Sequence, residues 1–198
     1  MAVDPKNILI IDGHPDAREG RFVHALACAY REAATGAGHT VRTLSVATLK
    51  FPWLQTSDDF RKGEPPPVIR DAQESLVWAQ HVVILYPLWL GSMPSLLKAF
   101  LEQVLRPGFA FGAARQRGLP KKLLAGRSAR VIITMGMPGP FYRIFYRAHS
   151  LKSLERNILR FVGFAPVRSL IIGGVEILKP VQRRQHLDEV RELGRRAL

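Results

Sequence analysis

The sequence predicts an α/β fold: a doubly wound, five-stranded parallel sheet of order 2-1-3-4-5 with helices on both faces, in one domain over residues 1–198. Three observations carry this. Five short strand-like runs lie near Asn7–Ile11, Thr40–Val46, His81–Tyr86, Ala129–Thr134 and Val167–Gly173. Helical patterns lie between successive runs, and that alternation argues a parallel sheet. At two strand ends, Asp12-Gly13-His14-Pro15 and Tyr86-Pro87-Leu88-Trp89-Leu90-Gly91, a tight loop leads directly into a helix. Such ends converge on a crevice at the carboxyl edge of the sheet, with the switch point between strands one and three.

The elements follow in order. The first helix starts near Arg21, places Phe22, Ala25, Leu26, Ala29 and Ala33 on one stripe, and stops at Gly36 and Gly38. Gln55 to Pro67 reads as an exposed excursion whose end, Gly63-Glu64-Pro65-Pro66-Pro67, is a rigid loop before the second helix. The third helix shows Leu97, Phe100, Leu101, Val104 and Leu105 and closes at Pro107-Gly108. Pro107 to Arg127 is the longest irregular stretch, of a length that tends to be functional or to cover a neighbour. A fourth helical segment carries Leu151, Leu154, Ile158, Phe161 and Val162 before Gly163. The last helix, Val181 to Ala197, turns only Leu187, Val190 and Leu193 inward, which suits an outer position.

Composition bounds the function. With 198 residues, 47% hydrophobic and 23% charged, the chain can bury a two-sided core without staples. Its single cysteine, Cys28, excludes a disulfide framework or thiolate metal site and reads as a buried, inert thiol. The longest apolar run, Val82 to Leu90, is far short of a membrane span, and the start lacks a signal-like apolar core, so a cytoplasmic, soluble protein is expected. The net charge of +13 is scattered, densest at Arg115–Arg130 and Arg183–Arg196, and no nucleic-acid-binding signature accompanies it. There is no G-x-x-x-x-G-K-[ST], no G-x-G-x-x-G after the first strand and no G-x-S-x-G. The six histidines show no short-spaced ligand pairing, so no metal is expected.

Three loops remain at the sheet edge. The first, Gly13 to Arg21, ends at a helix N-terminus that attracts anions, with His14, Arg18 and Arg21 as added donors. The second, Pro87 to Pro94, is apolar and offers Leu88, Trp89 and Leu90 as a wall for a planar ring. The third, Thr134 to Tyr142, brings Met135-Gly136-Met137-Pro138-Gly139-Pro140 close to something flat, with Phe141, Tyr142, Phe145 and Tyr146 adding aromatic surface.

Four stretches, GHP after the first strand, PLWLGSMPSLLKAFLEQVLRPGFAF, TMGMPGPFY and SLERNILRFVGF, make the chain resemble the NAD(P)H:quinone oxidoreductases of flavodoxin-like fold. That group contains DT-diaphorase, modulator of drug activity B and the ancillary flavoproteins of glutathione-gated potassium efflux. The resemblance implies a bound flavin, FMN in preference to FAD, and NAD(P)H as co-substrate. It puts the flavin phosphate at His14, Arg21 and Phe22, the ring on Pro87, Leu88, Trp89, Leu90 and Gly91, and the pyrimidine end at the backbone of Thr134, Gly136 and Met137. The family's tyrosine falls on Tyr142 and its histidine on Ala148 or, with one residue inserted, His149, both steadying charge that develops during hydride transfer. Glu19-Gly20-Arg21 stands where many relatives carry Ser or Thr, and Met137 where a second glycine is common. A quinone or similar flat acceptor, ping-pong turnover and a homodimer closed partly by Pro107–Arg127 are the implied activity and assembly. The rival reading is a redox-sensing subunit peripheral to a membrane transporter; a nucleic-acid partner would rest on charge alone.

Overall fold

The computed structural model describes residues 4–112 and 120–198. Five parallel strands, β1 (Asn7–Asp12), β2 (Thr40–Ser45), β3 (His81–Pro87), β4 (Ser128–Thr134) and β5 (Val167–Ile172), form one sheet of order β2-β1-β3-β4-β5. β3 is buried almost throughout, as expected of a central parallel strand covered on both faces. Alternate residues serve alternate faces. Ile8, Ile10, Val83, Leu85 and Ile132 meet helices α1 (Phe22–Gly36) and α8 (Pro180–Arg196). Leu9, Ile11, Val82, Ile84 and Val131 meet the opposite layer, which includes α3 (Pro67–Trp78) and α4 (Ser95–Val104). Each such Ile, Leu or Val, fully buried, contributes roughly 1.5–3 kcal/mol.

Several local expectations are corrected. The buried stripe of α1 is Val23, Leu26, Ala27, Ala29, Tyr30 and Ala34; Leu26 and Ala29 lie on it as expected, whereas Ala25 is exposed and Phe22 and Ala33 are only partly buried. The stripe is rotated because α8 lies directly against α1: a Cβ at Gly194 would sit 2.5 Å from the Tyr30 carbonyl oxygen, so only glycine permits this approach. The 55–67 excursion is exposed but contains a short helix, α2 (Ser57–Arg61), started by a capping box between Thr56 and Asp59. The buried Arg106 guanidinium anchors it by donating to the carbonyls of Asp59 and Gly63.

The helical stretch before Gly163 is not one α-helix. It runs as α6 (His149–Lys152), a π-helical segment (Ser153–Leu159) and α7 (Arg160–Val162). The wider π turn stretches the buried spacing to five residues, so Leu154 is followed inward by Leu159, while Ile158 and Phe161 are only partly buried. Cys28 is half-buried rather than buried; its thiol pKa is raised by the hydrogen bond to Glu32 and by burial, which disfavours the thiolate. The 107–127 excursion is pinned at its base by Gly112 N–H to Lys121 C=O (2.9 Å) and Leu123 N–H to Ala110 C=O (3.0 Å). Its centre, with Arg115 and Arg117, lies outside the described residues.

Candidate active site

Loop one is charge-dense and internally locked. Asp12, at the end of β1, accepts the His14 backbone N–H (3.1 Å) through one carboxylate oxygen and faces His24 Nδ1 at 2.5 Å through the other. His24 Nε2 faces the Asp16 carbonyl at 2.9 Å. Both ring nitrogens therefore meet acceptors, an arrangement that only the imidazolium satisfies fully. Burial opposes the charged ring, but Asp12 and the Asp16 carbonyl outweigh it and raise the His24 pKa. His14 is driven the other way, first by burial and then by the neighbouring His24, and its Nδ1 accepts the Asp16 N–H (3.1 Å). His24 is thus biased toward the charged form and His14 toward the neutral one, with ring centroids 5.2 Å apart.

Asp16 also collects both loop arginines. Arg18 Nη2 lies 2.8 Å and Arg21 Nη2 2.5 Å from its carboxylate, and the Arg18 hydrogen bond is the chief reason its pKa is held far below the usual range. Arg21 is the N-cap of α1, where no side chain caps the first turn. Beside it, Arg183 lies over the Phe22 ring at 5.3 Å. Arg21, Phe22, His24, Arg31 and Arg183 line one cavity of about 810 Å³. The open helix N-terminus and these guanidinium groups form a donor set that fits a phosphate monoester.

Loop two is a two-residue turn. Trp89 and Ser92 exchange backbone hydrogen bonds of 2.8 and 2.9 Å, and the residues between them, Leu90 (φ 46°) and Gly91 (φ 76°), are both left-handed. Glycine takes that conformation freely, whereas a leucine there is strained by roughly 1 kcal/mol or more. The turn holds Leu90 wholly in solvent, at 108% exposure. Leu88 N–H donates to the Thr134 carbonyl (2.7 Å), tying loop two to the end of β4, and the Trp89 ring stands edge-on to His14 at 6.0 Å.

Loop three is drawn in by β5. Gly173 must be glycine, because a Cβ there would lie 2.2 Å from the Gly139 nitrogen. Helix α5 (Gly139–Ile144) follows, and then Arg147 and Ala148, both left-handed, swing the chain round so that His149 opens α6. Ala148 is buried; His149 is the polar residue at this position that reaches the site. Tyr142 is buried, 2% exposed, with its hydroxyl 2.7 Å from Ser150 Oγ and accepting the Leu151 N–H at 3.2 Å.

A cavity of about 470 Å³ gathers Leu88, Leu90, Gly91, Gly136, Met137, Tyr142 and His149 of the expected residues, together with Met135, Tyr146 and Ser150. Arg21 and Phe22 line the larger cavity instead. His14 and Trp89 are in edge contact with each other, and Pro87 and Thr134 pair in register at the strand ends. The expected residues of the single crevice are therefore divided among neighbouring cavities: a third, of about 450 Å³, takes Trp89 and shares Leu90 and Ser150 with the second. Sequence reasoning missed Asp12, Asp16 and His24, whose pairing depends on how the loop folds back. It also missed Ser150, which only its contact with Tyr142 reveals, and Arg183, which the fold brings from the last helix.

A family described as having the flavodoxin-like fold matches residues 6–194. An uncharacterized NAD(P)H oxidoreductase of Haemophilus influenzae is 24% identical over 92% of this chain and 91% of its own. Rat NAD(P)H dehydrogenase (quinone) 1 is 27% identical over 68% of this chain, which spans only 50% of that protein. The chain spans about half the length of several further curated relatives. The structure of an FMN-dependent NADH-azoreductase from Bacillus anthracis in complex with FMN superposes with a TM-score of 0.75 at 19% identity, covering 96% of this chain and 98% of the other. With five parallel strands in the order 2-1-3-4-5 and a match over nearly its whole length, the chain belongs to the family of flavodoxin-like fold.

Proposed function

We propose that this protein is an FMN-dependent NAD(P)H oxidoreductase that reduces a quinone or similar flat acceptor by two electrons, donor and acceptor using one site in turn. The observation that carries the reading is the presence of two cavities on the loops of one sheet edge: a phosphate-type donor set at the start of α1, and a slot bearing Tyr142 and His149. The relatives, named as NAD(P)H and quinone oxidoreductases, agree with it. FMN, when bound, supplies hydride acceptance and two-electron storage.

The chain's own residues bind, orient and stabilise. Arg21 and the first turn of α1 would hold the phosphate, Leu88, Leu90 and Gly91 would form a wall for the ring, and the backbone of Gly136 and Met137 would meet its polar edge. Because Tyr142 Oη accepts the Leu151 N–H, its own proton is free to point at Ser150 Oγ or into the cavity, and His149 supplies a second donor at the same wall. A second copy of the chain, in a two-fold homodimer, would close the site. Mixing apoprotein with FMN tests the reading. Uptake should give a protein-bound flavin spectrum that bleaches with NAD(P)H and recovers on adding a soluble benzoquinone. Well-folded protein that takes up no flavin would overturn it.

A further inference from the structure

The hydroxyls of Tyr142 and Ser150 face each other at 2.7 Å, and the order in which they donate decides which of them meets a ligand. The start of α6 sets that order. Ala148 is its N-cap and has no side-chain oxygen to offer, so the backbone N–H groups of the first turn need acceptors from elsewhere. The N–H of Leu151, third in the helix, finds Tyr142 Oη at 3.2 Å. With its oxygen so engaged and its side chain buried, the phenol turns its proton to the acceptor beside it, Ser150 Oγ. Ser150 is then left with a proton of its own. Among the described residues its Oγ has no partner besides Tyr142. Ser150 is only half-buried, and it lines both the 470 Å³ cavity, with Gly136 and Met137, and the neighbouring one of about 450 Å³, with Trp89.

We infer that Ser150 is the hydroxyl that donates to the ligand in the 470 Å³ cavity, and that Tyr142 is a positioning residue acting through it. The hydrogen bonds run in one direction, from Leu151 N–H to Tyr142 O–H to Ser150 O–H and so to the cavity. Each link polarises the next, which makes the last a stronger donor than an isolated serine. It is also a fixed one: the helix places Ser150 and Tyr142 holds its oxygen, so little rearranges when negative charge develops beside it. The assignment rests on the reductase reading, in which that charge develops at the polar edge of the flavin. No proton leaves the serine. It donates a hydrogen bond and takes it back, so the site needs no base to restore it.

The midpoint potential of bound FMN, read at equilibrium without turnover, tests this. A donor aimed at developing negative charge favours the reduced form. Ser150→Ala should therefore weaken reduced relative to oxidised FMN about tenfold, a fall of about 30 mV for a two-electron couple. Stopped-flow reduction by NAD(P)H should slow by about tenfold or more. Alanine is the better helix former, so the fold is not at stake. Ser150→Thr, which keeps a hydroxyl, should hold the affinity ratio within about threefold of wild type. Because Tyr142 acts through Ser150, Tyr142→Phe should lower the potential of the wild-type protein yet change the ratio less than about twofold when added to Ser150→Ala. Wild-type potential and rate in Ser150→Ala overturn the assignment. So does an undiminished effect of Tyr142→Phe in that background, which would give the cavity to the phenol's own proton. Wild-type protein that takes up no FMN overturns the reductase reading and the assignment with it, whereas uptake with an indifferent Ser150 overturns the assignment alone.

Discussion

The two lips of the crevice are built on opposite principles. The lip from Asp12 to His24 is an electrostatic cluster: the Asp12 and Asp16 carboxylates hold two arginines and the His24 ring, beside the uncapped first turn of α1. The lip from Met135 to His149 contains no acid, turns its aromatic groups outward, and commits only the Tyr142 hydroxyl, to Ser150 and Leu151. Preorganised charge suits a group that stays bound, since reorganisation is settled in advance. A loosely paired, apolar wall suits groups that exchange. The difference teaches that one edge of a parallel sheet can divide retention and exchange between two loops.

The comparison breaks first at Tyr142. If the third loop is the exchanging, charge-steadying side, Tyr142→Phe should leave FMN bound yet slow its reduction by NAD(P)H about 10- to 1000-fold, as for loss of one positioned donor. Stopped-flow reduction isolates that step, and an unchanged rate would reduce the residue to a packing wall. Next comes Arg21. Arg21→Ala should weaken FMN by about 1.5–3 kcal/mol and riboflavin hardly at all, because charge-assisted bonds to phosphate are lost; equal losses for both ligands would place the guanidinium away from phosphate. The smallest effect concerns His24. Its pKa is raised in the folded loop, so its contribution to stability is fully present below the ordinary histidine value of about 6.5 and fades as pH climbs through the raised one. FMN affinity and thermal midpoint should both decline over that window in wild type and stay flat in His24→Gln.

The strands and their order are legible because buried parallel strands read as continuous Ile/Val/Leu runs, and the alternation leaves few topologies. The loops of the site are legible too, because strand ends converge by topology. What is hidden depends on conformation that side-chain pattern does not encode. The π-helical segment moves the inward position from Ile158 to Leu159, and a spacing rule that assumes 3.6 residues per turn cannot register the step. Asp12 and His24 are twelve residues apart and meet only because the loop doubles back. Arg21 is readable as a cation at the start of α1, but not as a partner of Asp16, since Asp16 carries no periodicity to mark it.

Leu90 shows how the strain of a turn and the lining of a cavity meet at one residue. A glycine there would relax the left-handed turn and, judged by folding alone, would be an improvement. It would also remove an apolar side chain from the cavity wall. A stability-guided redesign would therefore nominate this position early and widen the cavity in the same step, so that backbone ease and cavity shape pull toward opposite residues at one point in the chain.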